Sequence, residues 1–259
     1  GVQTCSLPIL EEYLLRVTAL QSRFANFVVS EDIRRFVRDG AHPPLLIVVA
    51  DNPGEKEHTY REFLSGRGHA GKIARTLLEA VFGPEFLAYV LILNKSNYST
   101  SSTAVLSKLL RSDRADTELL RSISADQEQN GSLVRELATL LRIPVVTFGW
   151  EADSNTFQGF RAGHGEMNEH AMFRGITVQQ SQIVPHPSYR QCYGPIRRDS
   201  ERGRAWNARL MAFLERHKDV PALRTEGGYI SEMTLRKMNK YELWLEYFTT
   251  VILGANQST

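Results

Sequence analysis

The stretch Leu45–Glu57, LLIVVADNPGEKE, decides the fold of this chain. Its first part is an unbroken apolar run, which is typical of a strand buried on both faces of a parallel sheet. The run ends abruptly at Asp51 and Asn52, and the Pro-Gly pair that follows predicts a tight turn. A carboxylate and an amide therefore lie at the carboxyl end of a buried strand, where open α/β sheets bind their ligands.

Apolar strands alternate with helical segments along the rest of the chain. Residues 86–94 (FLAYVLILN) and 143–150 (IPVVTFGW) predict two further buried strands, and residues 176–188 (ITVQQSQIVPHPS) predict a fourth. Helices are predicted over residues 7–39, 69–83, 103–122 and 131–142. This alternation predicts a three-layer α/β/α sandwich with a mainly parallel central sheet of about four strands.

The same pattern divides the 259-residue chain into three parts. Residues 1–44 are interpreted as an N-terminal helical segment and residues 45–220 as the α/β domain. Residues 221–259 are interpreted as a C-terminal helical extension packed on that domain, and the sequence assigns no function to them.

Composition narrows the classes of function. The two cysteines, Cys5 and Cys192, cannot form a four-thiolate zinc or iron–sulfur site, and they favour an intracellular protein over a disulfide scaffold. The formal net charge of +2 does not by itself indicate a nucleic-acid binder. No apolar run reaches the length of a membrane span, and the N-terminus lacks a signal-peptide pattern, so we expect no membrane association.

Three predicted strand ends carry polar residues, and each has a structural and a functional interpretation. Asp51 and Asn52 either form a strand-ending turn or position a water molecule. Asn94 is either a stop signal or an amide that reads the edge of a nucleobase. His186, held between two prolines, is either structural or a donor to a developing oxyanion.

The segment Phe63–Lys72, FLSGRGHAGK, matches the start of a P-loop from Gly66 onward. Ile73 stands where a P-loop needs Ser or Thr, so we reject the P-loop interpretation. A nucleotide kinase built on Gly66–Lys72 stays a third hypothesis, which predicts magnesium-dependent ATP binding and which absence of that binding would exclude. The glycine-rich turn would still allow close approach of a phosphate. Phe63 is either a core aromatic or a flat face for stacking.

Polar and basic residues follow His186. Ser188 either caps a turn or contacts a phosphate through its hydroxyl. Arg197 and Arg198 begin a basic run that is either a solvated face or a grip on a nucleic-acid backbone.

Taken in order, five segments resemble the motifs of the uracil-DNA glycosylase superfamily. They are VADNPGEKE (49–57), FLSGRGHAGKIARTLL (63–78), VLILNKSN (90–97), VVTFGW (145–150) and VPHPSYR (184–190). The resemblance covers roughly residues 45–216, and the order and spacing of the motifs carry it rather than any single motif.

The resemblance implies roles for individual residues. DNPG is similar to the motif of the mismatch-specific and single-strand-selective branches, which puts Asn52 in the water-positioning place. GRGHAG is similar to the thermophilic iron–sulfur branch, which favours Asp51 instead. For both branches, the resemblance implies that Phe63 stacks on the base and that Asn94 reads its edge. His186 would belong to the last motif of the family, His-Pro-Ser.

The chain also departs from the family pattern. The iron–sulfur branch needs four cysteines and this chain has two, so we expect no cluster. Ala50 replaces the usual first glycine of the first motif, and no clear apolar wedge follows Ser188.

The resemblance implies a base-excision DNA glycosylase that hydrolyses the N-glycosidic bond of a flipped-out deaminated base, above all uracil. Its partner would be DNA; we expect a monomer that needs no metal or organic cofactor. The implied substrate-binding residues are Gly54, Phe63, Asn94 and Ser188. The implied contacts to the DNA backbone are Gly66, Arg67, Lys72, Arg197 and Arg198. The alternative is an inactive glycosylase-fold protein that binds nucleic acid or a base-like ligand.

Overall fold

The structure, a computed structural model, describes residues 3–39, 43–149, 155–167, 170–173 and 176–184. The helices within these ranges are α1 (Gln3–Arg23), α2 (Glu31–Asp39), α3 (Glu55–Tyr60), α4 (His69–Phe82), α5 (Thr103–Leu110), α6 (Thr117–Leu141) and α7 (Gln158–His164). The strands are β1 (Leu46–Ala50), β2 (Val90–Asn94), β3 (Val145–Phe148), β4 (His170–Phe173), β5 (Ile176–Gln179) and β6 (Ser181–Val184).

A parallel sheet of four strands lies at the centre, in the order β2-β1-β3-β6. Every residue of β1, β2 and β3 is buried. Strands buried in this way must be covered on both faces, which explains their continuous apolar sequences. The predicted α/β sandwich with a mainly parallel sheet is therefore confirmed.

The predicted fourth strand is divided in two by the tertiary structure. β5 pairs with β4 in an antiparallel two-stranded sheet, and of the two strands β6 joins the central sheet. Buried Gln180 separates the two strands, and its carbonyl accepts a hydrogen bond from Val145 N–H at the start of β3. The sequence prediction treated residues 176–188 as one strand, because nothing local shows that β5 and β6 pair with different partners.

Other boundaries differ from the sequence prediction as well. The strand predicted from residue 86 begins at Val90, because Phe86–Ala88 form a 3-10 turn. α6 runs without interruption through Gly131, where the sequence predicted the start of a separate helix. Two short helices, α3 and α7, were not predicted.

Glycines allow α6 and α7 to cross at very short distance. A Cβ atom on Gly163 would lie 1.9 Å from the carbonyl oxygen of Glu128, and one on Gly131 would lie 2.2 Å from that of Phe160. Gly159 faces the carbonyl of Ser124 in the same way, at 2.7 Å. The backbones of the two helices are therefore in contact.

The N-terminal helix belongs to the same core as the sheet. Leu10, Tyr13 and Val17 of α1 are buried in one hydrophobic cluster with β1. Their spacing of three and four residues puts them on one face of the helix. α1 is thus an integral part of the support beneath the strand ends.

Candidate functional site

The strand order has a topological switch point at the carboxyl ends of β1 and β3. From β1 the chain continues to β2 on one side, and β3 lies on the other side of β1. Such a reversal of strand order is where open α/β sheets place their ligand site. Asp51 follows β1, Lys95 follows β2 and Gly149 follows β3 at this edge.

A buried ammonium ties these three strand ends together. Lys95 Nζ lies 2.7 Å from Asp51 Oδ1 and donates a hydrogen bond to the carbonyl oxygen of Phe148 at 2.9 Å. The ring of Phe157 lies beside it, with its centroid 5.1 Å from Nζ. The Lys95 side chain is 2% exposed and that of Asp51 is 19% exposed. A lysine is rarely buried this deeply unless it is paired, and a paired ammonium favours the ionised carboxylate.

Gly149 is required where β3 meets this ion pair. Its φ of +102° lies in a region that residues with a side chain rarely adopt. A Cβ atom there would also lie 2.9 Å from Asp51 Oδ1 and 3.1 Å from Lys95 Nζ. The glycine therefore supplies both the backbone conformation and the space for the ion pair.

The structure distinguishes the neighbouring residues Asp51 and Asn52. Asn52 Nδ2 donates to Thr100 Oγ1 at 2.9 Å, and Asn52 Oδ1 accepts from Thr103 Oγ1 at 3.1 Å. Both ends of the amide therefore hold the loop between β2 and α5. Asp51 Oδ2 accepts a longer hydrogen bond, of 3.4 Å, from the same Thr103 hydroxyl. The partly exposed Asp51 carboxylate is better placed to accept a hydrogen bond from water.

Asn94 carries a buried amide without a partner. The residue is 1% exposed, and among the described residues neither its Oδ1 nor its Nδ2 makes a hydrogen bond. In the sheet it pairs with Ala50, directly before Asp51. An unsatisfied buried polar group costs about 1–3 kcal/mol, so an amide left in this state needs an explanation. A ligand with a complementary donor and acceptor would satisfy both atoms.

A polar network beneath Asn94 fixes the end of β2. Asn130 Nδ2 donates to the carbonyl oxygen of Asn94 at 3.1 Å. Asp126, also on α6, accepts from Asn97 N–H at 2.7 Å, from Asn97 Nδ2 at 2.8 Å and from Arg16 Nη1 at 3.0 Å. Burial raises the pKa of Asp126, and the Arg16 guanidinium opposes that rise. Helices α1 and α6 together hold the segment from Asn94 to Asn97.

Glu57 joins the turn after β1 to the Phe63 segment. Its Oε2 accepts a hydrogen bond from Gly54 N–H at 2.8 Å and its Oε1 accepts one from Leu64 N–H at 2.6 Å. Leu64 has a φ of +46°, a strained value that this hydrogen bond supports. Burial raises the pKa of Glu57 to about 7, against the lowering effect of the two backbone donors.

The free energy of unfolding should therefore depend on pH through the protonation of Glu57. Its pKa in the folded protein is above the ordinary 4.5, so the stability linked to its proton is complete below pH 4.5 and is lost as pH rises through 7. The shift sets an upper limit of about 3 kcal/mol. We expect Glu57→Gln to flatten the decline between pH 5 and 8 in urea unfolding. Glu55→Gln, at an exposed position of the same helix, should keep the decline, and an equal decline in Glu57→Gln would contradict the assignment.

The predicted stacking residue, Phe63, is fully buried in the hydrophobic core cluster. Its carbonyl and that of Leu64 accept hydrogen bonds from Arg75, at 3.1 and 2.7 Å. Gly71 allows α4 to contact this segment, since a Cβ atom there would lie 2.1 Å from the carbonyl oxygen of Ser65. The glycine-rich sequence thus packs the N-terminal end of α4 onto the Phe63 segment.

Gly66 and Arg67, which the sequence predicts to contact the DNA backbone, are exposed on the loop before α4. The Arg67 guanidinium lies over the ring of Tyr60, 4.0 Å from its centroid. Lys72 lies in the first turn of α4. α3 and a turn precede α4, whereas a P-loop requires a strand there, which agrees with the rejection of the P-loop.

The remaining predicted site residues lie outside the described residues. They are His186, Ser188, Arg197 and Arg198, together with the extension at 221–259.

Sequence reasoning missed Lys95, Glu57 and Asp126. Lys95 follows an apolar strand directly, so a solvated loop residue was the ordinary interpretation. Glu57 stands three residues after Gly54, and this capping-box spacing was the available signal. Asp126 lies in a polar stretch of α6 whose burial depends on α1, and nothing local indicates it.

No protein-family model matches the chain, and no curated protein matches it in sequence. Among the described residues, no helix combines the length and hydropathy needed to cross a bilayer.

Proposed function

We propose that the chain is a DNA glycosylase that removes a deaminated base, above all uracil, by hydrolysis of its N-glycosidic bond. The observation that carries the proposal is the buried amide of Asn94 at the carboxyl end of β2, which has no partner among the described residues. Asn94 pairs in the sheet with Ala50, directly before the partly exposed Asp51. A nucleobase edge offers the alternating donor and acceptor that such an amide lacks.

Base recognition would proceed by extrusion of the nucleotide from its stack. Extrusion costs a few kcal/mol and costs least for mispaired or single-stranded bases. The amide of Asn94 would offset part of that cost, because its Oδ1 and Nδ2 would each gain a hydrogen bond to the base. The network of Asp126 and Asn130 would keep the amide in place while the base binds.

Bond cleavage would develop positive charge on the sugar and negative charge on the leaving base. The Asp51 carboxylate would stabilise the sugar cation and position the water that captures it. Asn52 would stabilise the loop after β2 instead of positioning the water, since its amide is hydrogen-bonded to Thr100 and Thr103. His186 is assigned by sequence to donate a hydrogen bond to the departing base.

The Lys95 ammonium favours a second candidate, a base-binding protein without turnover. At 2.7 Å from Asp51 Oδ1, it offsets much of the negative charge that a sugar cation needs. A binder would retain the Asn94 amide for recognition and use the ion pair only to hold the strand ends together.

The deciding experiment uses labelled oligonucleotides with one uracil, single-stranded or opposite G or A, followed by alkali. The glycosylase proposal is supported if the wild type cleaves the strand at uracil, and if Asp51→Asn reduces this cleavage about a hundredfold without a change in DNA affinity. Asp113→Asn, at an exposed position, is the matched control and should have wild-type activity. Uracil-dependent binding without scission would favour the binder, and neither binding nor scission would contradict both.

Asn94→Leu should separate function from stability. The side chains are similar in volume, and the change removes two buried polar atoms without partners, so we expect equal or higher thermal stability. We expect kcat/KM for uracil excision to fall about a hundredfold, because the base loses both hydrogen bonds. Loss of stability in Asn94→Leu would show that the amide serves the fold instead.

A further inference from the structure

We propose that Lys95 is a positioning residue for Asp51, which it holds in one orientation and in its ionised form. The inference deepens the proposed function and rests on it. Lys95 would thereby set the acid limb of base excision, which is the low-pH range where the rate falls as Asp51 becomes protonated.

The position of the Lys95 ammonium is fixed from several sides. Phe148 O accepts its hydrogen bond from β3, the Phe157 ring lies against it, and Gly149 leaves it room. The backbone on either side is also held, since Lys95 N–H donates to the carbonyl of Ala50 at 2.8 Å. An ammonium held in this way directs Asp51 Oδ1 toward β3.

This arrangement points to a role beyond packing. A packing lysine needs only a carbonyl and an apolar channel, whereas Lys95 pairs with Asp51, the carboxylate directly after β1. The pair is largely shielded from solvent, so bulk ions screen it weakly. The other carboxylate oxygen, Asp51 Oδ2, accepts a hydrogen bond of 3.4 Å from the Thr103 hydroxyl.

The described charged groups that act on Asp51 have opposite signs. Lys95, directly after β2, favours the ionised Asp51 carboxylate. Glu57 of α3, whose pKa is about 7, opposes it once it is ionised itself, because the two carboxylates then repel each other. Thr103 of α5 adds a neutral donor. Removal of the ammonium should therefore move protonation of Asp51 to higher pH, by roughly one to three units for a cation at this distance.

The test compares pH–rate profiles for uracil excision, from pH 4.5 to 9, in the wild type and in Lys95→Met. We expect the acid limb to rise by at least about one unit. At pH 5, on the acid side of the shifted limb, kcat should fall about tenfold while KM stays within about twofold. Lys95→Arg keeps the charge and should restore the limb, and Lys108→Met, exposed on α5, should leave it unchanged. An unshifted limb in folded Lys95→Met would overturn the proposal.

Two further measurements keep the inference separate from the proposed function. If wild-type protein does not excise uracil, the proposed function fails, and the carboxyl ¹³C signal of Asp51 then tests the inference alone. Its titration midpoint should rise in Lys95→Met, and an unchanged midpoint would refute the role of Lys95. If Lys95→Met does not fold, Asp51→Asn provides the test, because an acid limb that persists without the carboxylate would also overturn the proposal.

Discussion

Gly163→Ala should lower the free energy of unfolding by about 3 kcal/mol or more, near the upper end of the usual range for overpacking. The added Cβ would lie 1.9 Å from the carbonyl oxygen of Glu128 and 2.9 Å from Ser132 N. Both are backbone atoms of α6, so no side chain can rotate away and the two helices must separate. Alanine's better helix propensity returns only about 1 kcal/mol.

Thermal and urea unfolding of Gly163→Ala would measure this loss, with Gly66→Ala as the matched control. A Cβ on Gly66 meets only the flexible side chain of Arg75, at 3.4 Å, so we expect a change within about 0.5 kcal/mol. Equal stability of Gly163→Ala and the wild type would contradict the close crossing of α6 and α7.

The same variant should affect the candidate site. α6 carries Asn130, which bonds the carbonyl of Asn94, and Gln127, which donates to the carbonyl of Thr156 at 2.9 Å. Thr156 precedes Phe157, whose ring lies against Lys95. Separation of α6 from α7 should therefore disturb both the Asn94 amide and the ion pair between Lys95 and Asp51.

Arg16→Met should destabilise the protein by about 3–5 kcal/mol, the usual cost of leaving a buried charge without its partner. Arg16 donates to Asp126 at 3.0 Å and to Asn130 Oδ1 at 2.6 Å, and the Asp126 side chain is fully buried. Methionine fills a similar volume, so most of the loss reflects the unpaired carboxylate.

The loss in Arg16→Met should grow with pH. The folded-state pKa of Asp126 is already raised by burial, so the stability linked to its proton is present at low pH and lost as pH rises. Without Arg16 the pKa rises further, and urea unfolding should show a larger deficit at pH 8 than at pH 5.

Two variants serve as controls for Arg16→Met. Arg23→Met, on the same helix, breaks a pair with Glu118 that is more than half exposed, and should cost at most about 1 kcal/mol. Adding Asp126→Asn to Arg16→Met removes the unpaired charge and should recover at least half of the loss. No recovery in the double variant would show that the cost arises from packing instead.

The sequence by itself determined the class of fold and the edge at which to look for a site. The run from Leu45 to Ala50 can only be buried on both faces, because each of its side chains is apolar. Polar residues directly after such runs mark strand ends, so Asp51, Asn52 and Asn94 could be identified without coordinates.

The tertiary structure alone decided how those residues are partnered. Lys95, Phe148 and Asp51 are distant in sequence, and only the order β2-β1-β3 brings them together. The burial of Asp126 depends in the same way on α1, which carries Arg16 from 110 residues earlier in the sequence. Local sequence sets strand and helix periodicity, whereas the partners of a buried polar group depend on long-range packing, which no local pattern contains.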